Sequence, residues 1–149
     1  MAEPQRELTT LDELVRVVAD ADGGRDLYIR WSRGPDRDRD TTSVDELTGV
    51  RLPGLSANPL RVESWWADRS LRTWVARRLH DYRHLMRDGR DSAVRPWVLR
   101  GREVGRGPDN EPLIQVCEPI AWIHEDVLGE VDATLAEQHP DWGTLDRGT

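Results

Sequence analysis

A chain of 149 residues, 37% hydrophobic and 33% charged, is polar but globular and the size of one domain. Its net charge of −7 argues against nucleic acid as a partner, and its basic residues are all arginine, which excludes lysine Schiff-base chemistry. The single cysteine, Cys117, excludes an internal disulfide and a cysteine-built zinc site, and no apolar stretch is long enough to span a membrane.

Residues 1–9 are expected to be a flexible start, with no signal-peptide core, so the chain is expected to be cytoplasmic. Thr10 and Glu13 form a capping box for a helix whose inner face carries Leu11, Leu14, Val15 and Val18, stopped by Gly23-Gly24. "DLYIRWS" alternates as a strand and sets Tyr28 and Arg30 on one face. "RGPDRDRDTT" is a charged loop. Asp36, Asp38 and Asp40 have the odd spacing of a calcium loop, but its glycine and closing glutamate are absent, so no metal is expected. Ser43 and Glu46 make a second capping box for a short helical turn.

"GLSANPLRVESWW", residues 54–66, is predicted to be a shaped loop, because Pro53, Gly54, Asn58 and Pro59 oppose regular structure. A long helix follows, capped by Asp68 or Ser70 and ended by Gly89. Leu71, Trp74, Val75, Leu79, Tyr82, Leu85 and Met86 face inward. Arg72, Arg77, His80, Asp81, Arg83, His84 and Arg87 form its solvated face. His80 and His84 are spaced for chelation, with no acidic third ligand beside them. "VRPWVLR" reads as a strand, "RGPDNEP" as a turn, and "LIQVCEPIAWI" as a strand bulged at Pro119. "GREVGRG" has the glycines of a phosphate loop but opens no helix. The last helix runs from about Glu125 to His139, with a flexible tail over 140–149. This order of elements predicts a single α+β domain, 1–149, with a small, mainly antiparallel or mixed sheet packed with about three helices.

Charge is uneven along the chain. Residues 61–106 hold twelve arginines against six acids, and residues 107–149 one arginine against ten. The two stretches either neutralise each other or leave an arginine face for an anionic ligand. Seven tryptophans and no phenylalanine make indoles the main aromatic packing, and each buried indole N–H needs a partner. Trp65 and Trp66 pack on the core or offer a flat wall to a ligand. Tyr28 and Asn58 are the polar candidates beside them, and together these residues point to a small-molecule partner. Arg30, between Ile29 and Trp31, and Glu118, between Cys117 and Pro119, either pair structurally or line a cleft with Ser56.

Two resemblances follow from these residues. Through "LYIRWSRGP", "GVRLPGLSANPL", "WW", "RPWVLRG" and "RGPDNEPL", nearly the full chain resembles a family of short uncharacterised actinobacterial proteins, a domain of unknown function. The order arginine on an early strand, serine, long helix, glutamate on a late strand resembles the ADP-ribosyltransferase-like fold. That likeness implies NAD as cofactor and Arg30, Ser56 and Glu118 as catalytic residues. The Ser-Thr-Ser triplet of that fold stands here as Leu55-Ser56-Ala57, and Val116 stands where a second acid is expected, which counts against arginine-directed transfer. The alternative is a non-enzymatic accessory protein of specialised metabolism. It would sequester a flat aromatic molecule, or bind a protein partner, through the tryptophan loop and the arginine face.

Overall fold

The computed structural model describes residues 4–35, 38, 54–67, 69–85, 94–107 and 110–137. The calcium-like Asp36 and Asp40, the second capping box and the 140–149 tail lie outside them. The order is β1 (Glu7–Leu8), α1 (Leu11–Asp20), β2 (Leu27–Ser32), β3 (Leu55–Ser56), β4 (Asn58–Pro59), a 3-10 turn (Ser64–Trp66), α2 (Leu71–Leu85), β5 (Arg95–Arg106), β6 (Pro112–Ile123) and α3 (Glu125–Ala136). This is an α+β domain with a mixed sheet: β1 joins β6 in parallel, and the other pairs are antiparallel.

The local signals explain the helices. Thr10 caps α1, its hydroxyl accepting from the Glu13 N–H, while the Glu13 carboxylate accepts from the Thr9 and Thr10 amides. Glu130 of α3 accepts from the Leu11 N–H at 2.7 Å, so a second orphan donor of α1 is met by a distant side chain. Gly23 and Gly24 turn the chain at φ 72° and 86°, and a Cβ on Gly24 would stand 2.9 Å from the Leu60 carbonyl oxygen. Ser70 accepts from the Thr73 N–H and starts α2. His124 caps α3 through Nδ1, and Glu125 and Asp126 fill its first turn.

The sheet contains the main surprise. β2, β5 and β6 are consecutive neighbours. Ser56 and Leu55 pair with Leu113 and Ile114 of β6, while Asn58 and Pro59 pair with Ile29 and Tyr28 of β2. Residues 55–59 therefore bridge the two ends of that path and close it into a ring. The expectation of a loop without regular structure is corrected here. Proline cannot donate, but a two-residue edge pairing does not require it to: the Leu60 N–H donates to the Leu27 carbonyl instead, at 2.9 Å. Glu7 and Leu8, in the stretch expected to be a flexible start, are held beside Trp122 and Ile123.

"GREVGR" is strand, continuing β5 beyond the expected Arg100. Gly101 permits this at a register shift, since a Cβ there would lie 2.8 Å from the Gln115 carbonyl oxygen. Another shift leaves Ile120 unpaired beside Pro119, where the bulge was expected.

Two cores result. The helices cover one face of the sheet, burying Leu11, Leu14, Ile29, Trp74, Val98 and Ala121 among others. Inside the ring, Ala57, Trp97, Leu99 and Ile114 pack together, with Tyr28, Val116 and Trp122 against them. The expected solvated face of α2 is corrected in part, since His80 and Arg83 are exposed. Arg77 and Asp81 are buried, as are Thr73 and Arg78. Polarity marks a face as solvated only where no neighbour covers it, and arginine stems bury readily: the Arg78 guanidinium lies 4.6 Å from the Trp74 ring centroid.

Candidate functional site

β2 carries Arg30 into the ring, opposite Trp97. Its Nε donates to Asp38 Oδ2 at 2.7 Å, and one terminal nitrogen donates to the Ser56 carbonyl oxygen at 2.7 Å. The same nitrogen is 3.4 Å from Ser56 Oγ. Asp38 is 6% exposed and also accepts from the Ser32 hydroxyl at 2.7 Å. Ser32 Oγ in turn accepts from Trp97 Nε1 at 2.9 Å and from the Gly34 N–H at 3.1 Å. The buried charges are thus paired and hydrogen-bonded, as burial demands. Asp38 was missed as a partner because the alternation of acids and arginines around it resembles a solvated loop.

Glu118 is elsewhere. Leu27 pairs with Arg100, and Arg100 with Glu118, which puts that row on the opposite sheet face from Arg30 and Trp97. Arg100 donates to Glu118 at 2.9 Å, with both side chains about half exposed. The expected Arg30–Glu118 pair is therefore replaced by Arg30–Asp38 and Arg100–Glu118. The structure brings Arg30 and Ser56 together and does not bring Glu118 to them.

The two tryptophans differ in burial. Trp66 is 2% exposed, in the helix-side core, and donates Nε1 to the Ser70 carbonyl. Trp65 is 40% exposed and packs edgewise on Trp66 and Trp74. Of the two readings the sequence left open, packing on the core is the one observed for Trp66.

Tyr28 and Asn58 instead line a cleft of about 670 Å³ between α2, β4 and the β5–β6 hairpin. Tyr82 of α2 completes the pair of tyrosines that the chain possesses. Its hydroxyl donates to the Pro59 carbonyl at 2.6 Å, tying α2 to β4. Arg61, Arg78 and Arg106 also line the cleft, as do the carboxylates of Asp26, Glu63, Glu103 and Glu111. Arg106 Nε is 2.7 Å from Glu103, and a terminal nitrogen donates to the Asn110 carbonyl at 3.1 Å. Burial raises the Tyr28 hydroxyl above the usual tyrosine range, Glu103 and Asp26 adding to the shift while Arg106 and Arg61 oppose it. Among the described residues, neither the Tyr28 hydroxyl nor the Asn58 amide has a side-chain hydrogen-bond partner, although both residues are half-buried.

This chain belongs to DUF6098. The match to that family of unknown function covers residues 2–143. No curated protein and no solved structure matches the chain. Sequence reasoning found Tyr28 and Asn58 but missed Arg61, Arg78, Tyr82 and Arg106 as cleft residues, since no local pattern marks a wall shared by a helix and a hairpin. A second, more open groove between α2 and α3 includes Arg72 and Glu130, and both serve the fold: Arg72 pairs with Asp12, and Glu130 holds the start of α1. Among the described residues no cluster of metal-ligating side chains occurs, and no helix is long and apolar enough to cross a membrane.

Proposed function

We propose that this chain is a cytoplasmic, actinobacterial small-molecule binding protein whose ligand occupies the Tyr28–Asn58–Tyr82 cleft. The observation that carries this is the pair of half-buried polar groups, the Tyr28 hydroxyl and the Asn58 amide, left without side-chain partners in a cavity of ligand size. A ligand that replaces their water gains oriented hydrogen bonds without reorganising the wall. The net charge of −7 and the mixed charges of the cleft support a partner other than nucleic acid, and the all-arginine composition is consistent with an actinobacterial source.

A ligand-observed NMR screen of a polar fragment library tests this. Fragments should bind the wild type and lose binding to a Tyr28→Phe/Asn58→Ala variant that unfolds at the same temperature. Equal binding to both proteins would move the site elsewhere.

The Arg30–Ser56 contact supports a second reading, in which an ADP-ribosyltransferase-like pocket holds NAD. Its weakness is that Arg30 already serves Asp38 and Ser56, with Glu118 across the sheet. Calorimetric titration of NAD into wild type and a folded Arg30→Ala variant separates the two. Saturable binding lost in the variant would restore the NAD reading. A third, in which exposed Trp65 and the arginines of α2 hold a flat aromatic molecule, is tested by quenching of the Trp65 contribution to fluorescence.

A further inference from the structure

We infer that the cleft takes a small neutral polyhydroxylated ligand of monosaccharide size, an assignment that rests on the binding reading above. A polyanion such as a pyrophosphate needs an excess of positive charge, whereas the described lining holds three arginines against four carboxylates. A zwitterion needs its two charges met at separate places. Here opposite charges are already locked together, with Arg106 Nε 2.7 Å from Glu103. Around the Tyr28 hydroxyl, two carboxylates, Glu103 and Asp26, oppose two arginines, Arg106 and Arg61.

What remains is a surface that both donates and accepts and has almost no net field. The tyrosine hydroxyls and the Asn58 amide do both, the carboxylates accept, and the arginines donate. A hydroxyl also does both, so a ring of hydroxyls can use such a wall in many directions without carrying charge into it. The ion pair strengthens these bonds, since hydrogen bonds to ionised groups are stronger than neutral ones. The volume of about 670 Å³ lies within the ordinary span for small-molecule sites.

The test is an amide-resolved NMR titration of the full chain with four probes: D-glucose, myo-inositol, glycine betaine and inorganic pyrophosphate. The expected result is saturable shifts at Tyr28, Asn58 and Tyr82 with glucose or inositol, weakened about tenfold by Asn58→Ala through loss of one well-placed hydrogen bond. Shifts at those residues from betaine or pyrophosphate alone would overturn the polyol assignment and leave the cleft as a binding site. No shift from any probe would also overturn it, and the fragment screen then decides separately whether the cleft binds anything.

Discussion

Arg30 and Arg100 sit on neighbouring strands, each holding a carboxylate at nearly the same distance, 2.7 Å for Asp38 and 2.9 Å for Glu118. Their surroundings differ. The Arg30 and Asp38 side chains are 16% and 6% exposed, and those of Arg100 and Glu118 are 47% and 60% exposed. Inside the ring, water cannot replace a lost partner, and the guanidinium also holds the Ser56 carbonyl that closes the sheet. Where Arg100 and Glu118 stand, half exposed, water solvates either charge when the other leaves. Equal geometry therefore carries unequal weight, and burial decides which pair the fold depends on.

Removing Asp38 should have the largest effect. Asp38→Ala leaves the Arg30 charge buried and is expected to destabilise by about 3–5 kcal/mol, measured by denaturant unfolding. Arg30→Met/Asp38→Leu sharpens the point. If the orphaned charge is the cost, the double variant should be more stable than Asp38→Ala, and a strictly additive loss would contradict it. Ser32→Ala comes next, at about 1–3 kcal/mol, because one hydroxyl serves Trp97, Asp38 and the Gly34 amide.

Thr10→Ala is expected to cost about 1 kcal/mol, although Thr10 is exposed, because its partner is a backbone N–H at a helix start. The same cap has a pH signature. Hydrogen bonds from the Thr9 and Thr10 amides and hydroxyls hold Glu13 below its usual pKa. Its contribution is therefore present above the ordinary glutamate range and lost as pH falls through the lowered value. Thr10→Ala should accordingly reduce the acid dependence of unfolding, seen by comparing melts at neutral and acidic pH.

Glu118→Ala should have the smallest effect, about 0–1 kcal/mol, and high salt should abolish it without rescuing Asp38→Ala. A loss from Glu118→Ala as large as that from Asp38→Ala would break the comparison.

The candidate site was legible in pieces. Tyr28 stood out beside Arg30 on one face of a strand and Asn58 as a polar residue of the shaped loop, and both line the cleft. Tyr82 was legible only as an inward helix residue. Arg30 was correctly marked as a buried charge in need of a partner, but the partner was sought on the wrong strand. Nothing in the spacing of residues 30, 38 and 118 tells which carboxylate shares a sheet face with the arginine.

Local chemistry determined the helix starts, the strands about Tyr28, Trp97 and Ala121, the bulge at Pro119 and the α+β class, because capping, period and proline act over a few residues. Tertiary structure alone decided that residues 55–59 bridge β6 and β2, that α2 buries Arg77 and Asp81, and which carboxylate each arginine holds. Those outcomes depend on strand order and register, in which one step moves a side chain to the other face of the sheet.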